Sequence, residues 1–155
     1  MKIKGGGKPR PALTAFWDTS ALVPLCCFQP QSAQARQVAR TYNRHVVWWG
    51  TAIEAVSSLN RLTREGTLNA KESRQAFARL DYLRDRWNEV QPVEEVRDRA
   101  ERLLRIHKVR AADALQLAAA LLWCGDRPQT RALIAADGNL SNAATAEGFT
   151  VIRLL

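Results

Sequence analysis

Histidine and cysteine are scarce in this chain, with two of the first (His45 and His107) and three of the second. Cys26, Cys27 and Cys124 show no C-x-x-C spacing, and two of them are adjacent, which argues against a zinc site. An odd cysteine count without a secretory signal fits a reducing cytoplasm. The first residues are basic, but Gly5-Gly6-Gly7 and Pro9-Arg10-Pro11 follow where a signal peptide needs an apolar stretch. Long apolar runs are missing too. The longest, Leu117 to Cys124, falls far short of the roughly 18 residues a bilayer requires. Gly5-Gly6-Gly7-Lys8 lacks the spacing of a phosphate-binding loop, and no strand precedes it. Ser20 lacks the flanking glycines of a nucleophile elbow, which disfavours acyl transfer.

The chain does have base in excess of acid: 23 Lys and Arg against 15 Asp and Glu, a net charge of +8. At 155 residues and 46% hydrophobic it suits one globular domain with a sizeable core. Residues 1–11 read as a flexible basic tail rich in Gly, Pro and Lys, and residues 12–155 as the domain.

Alternating patterns set the expected architecture. Residues 12–17 read as a buried strand, followed by a short helix from Thr19 that is interrupted or ended near Pro24. Ala35, Val38, Ala39 and Tyr42 mark a helix, and His45–Trp49 a strand closed by Gly50. Thr51 to Arg64 is helical up to Gly66, and a long helix runs from about Asn69 to Trp87. A short strand over Asn88–Val90 precedes a helix striped by Val93, Val96, Ala100, Leu103 and Leu104. Ala111 to Trp123 is apolar almost all round and is expected to be buried. Strand 132–136, helix 140–146 and strand 149–154 complete the chain. Strands alternating with helices through short connections predict an α/β fold with a parallel sheet flanked by helices.

Against this framework four acids stand out. Asp18 and Asp137 each end an apolar run, so a parallel sheet would place them at the carboxyl ends of strands, where open α/β sheets bind ligands. Glu54 and Asp113 each lie near the start of an apolar helical stretch. Each has an ordinary explanation. Asp18 caps the next helix, Thr51-Ala-Ile-Glu54 matches a capping box, Asp113 complements a helix dipole, and Asp137-Gly138 forms a turn. Jointly they make a different pattern. Carboxylates brought close repel by about 4 kcal/mol per pair at an effective dielectric near 20, which makes a cluster a poor stabiliser and a good site for Mg²⁺ or Mn²⁺. A basic body around an acidic site suits a polyanionic substrate.

Four further residues are candidates for positioning substrate or water. The hydroxyls of Thr19 and Ser20 flank the first acid, Arg110 precedes Asp113 by one helical turn, and Asn139 follows Asp137. Trp48 and Trp49 offer faces for stacking on unpaired bases, although adjacent strand residues point to opposite sides. His45 and His107 stand outside the set, so a histidine general base is not expected.

These residues resemble a PIN domain, the small nuclease fold best known from VapC-like toxins of toxin–antitoxin pairs. The resemblance is carried by Phe16-Trp-Asp-Thr-Ser-Ala-Leu22, Thr51-Ala-Ile-Glu54, Arg110-Ala-Ala-Asp-Ala-Leu-Gln-Leu-Ala118 and Leu133-Ile-Ala-Ala-Asp137, in the family's order. It implies a three-layer α/β/α sandwich around a mostly parallel sheet of about 4–5 strands. It also implies that Asp18, Glu54, Asp113 and Asp137 bind Mg²⁺ or Mn²⁺ and support hydrolysis of RNA, transfer or ribosomal RNA included. Family habit adds a homodimer and a small antitoxin that wraps the helices near the site. Ala135 and Asn139 depart from the family pattern, which often has Ser or Thr at the first place and sometimes an acid at the second. Two rival readings remain: a noncatalytic RNA- or protein-binding module on the same fold, and an aspartate-nucleophile phosphatase. The phosphatase would want a second acid where Ser20 stands.

Overall fold

Apolar residues on consecutive positions of short strands can be buried only if both faces of a sheet are covered, and helices cover both here. The computed structural model describes residues 13–155, so the tail expected over residues 1–11 lies outside the described residues. The elements run β1 (Thr14–Trp17), α1 (Thr19–Cys26), α2 (Ser32–Thr41), β2 (Arg44–Trp48), α3 (Thr51–Arg64), α4 (Ala70–Arg84) and β3 (Asn88–Val90). They continue through α5 (Glu94–Ile106), α6 (Ala111–Trp123), β4 (Ala132–Ala135), α7 (Gly138–Glu147) and β5 (Thr150–Arg153). The five strands form one sheet in the order β3-β2-β1-β4-β5, and every pairing is parallel.

Period-two alternation divides the strand residues between two cores. Ala15, Trp17, Val47, Ala132 and Ile134 pack with α1 to α4, while Phe16, Val46, Trp48, Leu133 and Ala135 pack with α5 to α7. This is the expected three-layer sandwich. Central β1 carries the largest fully buried side chains, Phe16 and Trp17. Truncating either to Ala would cost about 3–5 kcal/mol. Helix α6 is buried at Ala114 and throughout Gln116–Leu121, as its apolar sequence requires.

Several boundaries differ from expectation. Pro24 neither interrupts nor ends α1, which continues to Cys26. A proline there removes one amide donor, but the helix closes within a turn, where the Cys27 amide donates to Val23. Helix α4 stops at Arg84. Trp87, expected in the helix, is instead a buried residue leading into β3. Strands β4 and β5 are shorter than expected, β2 is shifted back by one residue, and α7 begins at Gly138 because Asp137 caps it. Gly148 ends α7 with φ +108, a left-handed conformation that a side chain would strain.

Candidate active site

The strand order creates the site before any side chain is placed. From β1 the chain moves to β2 on one side, and from β4 to β5 on the other. A crevice therefore opens between the carboxyl ends of β1 and β4, the usual ligand position in such sheets. Asp18 follows β1 directly, its amide donating to Ile134 of β4 at 2.9 Å. Asp137 lies two residues beyond β4.

Both aspartates also serve the helices they precede. Asp18 caps α1 by accepting from the Ser20 amide at 3.0 Å, and Asp137 caps α7 by accepting from the Leu140 amide at 2.7 Å. Capping and lining the crevice are thus compatible. The Ser20 hydroxyl donates to Asp18 Oδ2 and accepts from the amides of Ala136 (2.9 Å) and Asp137 (3.3 Å), so one side chain ties the two strand ends together.

The capping box expected at Thr51 and Glu54 does not form. Gly50 is the N-cap of α3, without a side-chain cap bond, and Thr51 is fully buried. Glu54 instead faces α1 and α6, accepting from Thr19 Oγ1 on Oε2 (3.1 Å) and from Gln116 Nε2 on Oε1 (3.3 Å). Gln116 also lies 3.0 Å from Thr19 Oγ1 and 3.1 Å from Thr51 Oγ1. It is only 1% exposed, and no reading of the sequence singled it out. The available signal was a lone amide inside the apolar run Ala114-Leu-Gln-Leu-Ala118, because a buried polar group needs partners. Asp113, one turn earlier on α6, accepts from the Arg110 amide at 3.4 Å.

Asp18, Glu54, Asp113 and Asp137 all line one cavity of about 660 Å³. Thr19, Ser20, Arg110 and Asn139 line it as well, together with Ser58 and Arg61, which were not anticipated as site residues. Neither histidine does. His45 packs against Trp17 in a tilted contact, with ring centroids 4.7 Å apart, and His107 meets Glu147 at 2.7 Å. Of the two tryptophans considered for base stacking, Trp48 is in the core at 7% exposure and Trp49 is 44% exposed.

The electrostatics of this cavity are unusual. Among the described residues, the ion pairs join Glu94, Asp126 and Glu147 to arginine or histidine, and none includes a cavity carboxylate. Burial pushes Asp18 up to about 6, assisted by the charge of Asp113 and opposed by the Ser20 hydrogen bonds. Burial and then the charge of Asp18 push Glu54 up to about 7. Asp113 is raised by burial and by Asp137, with Arg110 pulling the other way. Asp18, Glu54 and Asp113 each thus sense another acid of the cavity.

Such a donor set, oxygen only and without an ion pair among the described residues, fits a hard divalent cation. Among the described residues no three acidic, histidine or cysteine side chains are already gathered closely enough to hold one. Repulsion spreads bare carboxylates. Material for coordination is free, since Asp113 Oδ1 and Asp137 Oδ2 accept no hydrogen bond among the described residues.

Comparison with known proteins agrees with this architecture. Among solved structures, a toxin–antitoxin complex from Klebsiella pneumoniae contains a chain similar to this one with a TM-score of 0.54 at 19% identity, covering 80% of this chain and 87% of that one. The protein PAE2754 from Pyrobaculum aerophilum is similar with a TM-score of 0.56 at 20% identity, covering 91% and 89%. No curated protein matches the sequence. The family model described as "PIN domain" matches residues 15–145, a span that includes all four carboxylates. The chain belongs to the PIN domain family.

Proposed function

We propose that this protein is a Mg²⁺- or Mn²⁺-dependent endoribonuclease and the toxin of a toxin–antitoxin pair. One observation carries the nuclease reading: four carboxylates that form no ion pair among the described residues line one cavity at the switch point of a PIN-domain sheet. The toxin role draws support from the structural similarity to a chain of a toxin–antitoxin complex. A cytoplasmic location, a homodimer and an antitoxin that covers the helices near the cavity belong to the same proposal. No described helix is long and apolar enough to cross a membrane.

Asp18, Glu54, Asp113 and Asp137 would hold the cation. When bound, it supplies positive charge against a phosphodiester and makes water more acidic. The chain's own groups do the rest by orientation. Thr19 and Gln116 fix both oxygens of Glu54, and Ser20 fixes one oxygen of Asp18, so these carboxylates lose little freedom on binding. Arg110 and Asn139 meet the substrate from the rim. Hydrolysis by water in line with the leaving oxygen leaves a 5′-phosphate on one product.

The test is incubation of the purified protein with single-stranded and transfer RNA in Mn²⁺, with and without chelator, beside Asp18→Asn. Cleavage that needs the metal and vanishes in the variant is expected. Metal-independent RNA binding without cleavage would support the noncatalytic module instead. A trapped phosphoryl-aspartate would support the phosphatase.

A further inference from the structure

Two arginines line the carboxylate cavity, Arg61 near a helix end where the dipole favours positive charge and Arg110 at one where it does not. Glu54, Ser58 and Arg61 fall at i, i+4 and i+7 of α3, one face of the helix, and all three line the cavity. Arg61 is placed roughly 10 Å along the helix axis from Glu54. A basic residue in the last turn helps the helix dipole, but Arg64 stands in the same turn and does not line the cavity. Arg110 sits at the start of α6, where the dipole disfavours positive charge. Neither arginine forms an ion pair among the described residues.

Their placement is complementary. Helix α3 belongs to the layer formed with α1, α2 and α4, and α6 to the opposite layer with α5 and α7. The carboxylates lie between them, at the edge of the sheet. Positive groups therefore flank an acidic centre on both sides of that edge. Asp18 is only 4% exposed, so a phosphodiester must enter a recess between the layers. A flexible single strand can bend into such a recess, while a duplex holds its phosphates on a stiff cylinder.

Resting on the nuclease reading above, we infer that Arg61 and Arg110 hold the phosphates on either side of the scissile one when a single strand lies across the carboxyl edge of the sheet. Arg61 thereby defines a subsite beyond the reacting centre.

Binding can be measured without turnover. Fluorescence anisotropy would follow a labelled RNA of about 12 nucleotides with full-length protein carrying Asp18→Asn. Adding Arg61→Ala or Arg110→Ala is expected to weaken binding about tenfold and to reduce the slope of log affinity against log salt by about 0.7. Arg64→Ala, which removes the same charge from the same turn of α3, is the control and is expected to change affinity less than about twofold. Arg61→Lys should recover most of the salt slope, which excludes misfolding as the cause. DNA of the same sequence should lose affinity by the same factor, and annealing the RNA to its complement should weaken binding at least about tenfold. Arg61→Ala behaving like Arg64→Ala, or the duplex binding as well as the single strand, would overturn the inference. The two readings fail separately. Unsubstituted protein that binds through these arginines yet never cleaves in Mg²⁺ or Mn²⁺ removes the nuclease reading alone. Cleavage with an inert Arg61→Ala removes this one alone.

Discussion

Two groups of acids in this molecule are treated in opposite ways. On the α5–α7 side, Glu147 meets Arg102 at 3.0 Å and His107 at 2.7 Å, and Asp126 accepts from Arg99 Nε at 2.9 Å. Arg99 holds Asp126 below the usual carboxylate range. Burial would raise Glu147, but hydrogen bonds from Arg102 and His107 outweigh it and lower the value. At the cavity the signs reverse: Asp18 and Glu54 are raised to about 6 and about 7. The first group fastens α5 to α7 and to the turn that follows α6. The second forms no ion pair among the described residues, and its burial comes at a cost to the fold.

The largest test of that contrast is Asp18→Asn. It is expected to lower RNA cleavage by at least about 10³-fold, with unchanged fold by circular dichroism. The same variant should be more stable than the parent by about 1–3 kcal/mol, because a buried charge disappears while its size is kept. A lower melting temperature would put Asp18 with the paired acids and break the comparison.

Next in size is the dependence of stability on pH. Both raised acids bind their protons more tightly when folded than unfolded. Their contribution is therefore complete below about pH 4 and is lost as pH rises to about 7. The metal-free protein should lose about 3 kcal/mol through Asp18 over that window, with a smaller, solvent-screened share from Glu54. Urea titrations in chelator at pH 4 and pH 8 would show most of it. A divalent cation should reverse the loss, adding about 2.7 kcal/mol at a hundredfold excess over its dissociation constant. Asp113→Asn should remove most of that gain. Equal melting curves with Mn²⁺ and with chelator would count against any metal role for the cavity.

Much of this was legible in the sequence because period and punctuation carried it. Three-layer order follows from apolar strands alternating with striped helices, and Asp18 and Asp137 are marked by the ends of their runs. Glu54 was harder, since Thr51-Ala-Ile-Glu54 spells a cap as readily as a site. Only the buried hydroxyl of Thr51 and the side chain of Gln116 separate the two. Gln116 and Arg61 were missed for a physical reason. A polar residue on a helix reveals its role through what the neighbouring layer places opposite it, and one chain's spacing does not record that. Pro24 misled because its effect depends on how soon the helix was to end.

Gln116→Leu sharpens the contrast at smaller scale. It preserves volume in a 1%-exposed position but removes the donor to Glu54 Oε1. Cleavage is expected to fall about 10- to 100-fold, chiefly in kcat and in Mn²⁺ affinity, as loss of a group orienting a ligand would predict. Gln116→His, which keeps a donor, should recover part of it. A loss of stability without a change in metal affinity would make Gln116 a core residue and nothing more.

The smallest effect belongs to the paired acids. Arg102 is half-exposed and Glu147 only 13% exposed, so Arg102→Ala leaves a nearly buried carboxylate with His107 as its remaining partner. Solvent screens the lost arginine, which limits the cost to about 0.5–1 kcal/mol at pH 7. Its pH dependence must run opposite to that of Asp18. Because Glu147 is lowered in the folded protein, the stability it contributes is present above its ordinary pKa of 4.5 and disappears as pH falls through its folded value. The gap between variant and parent should therefore close in acid, while the advantage of Asp18→Asn over the parent should also vanish there, for the opposite reason: Asp18 is already protonated. A gap that persists in acid would mean that Arg102 acts through packing, and the two groups of acids would no longer differ by charge alone.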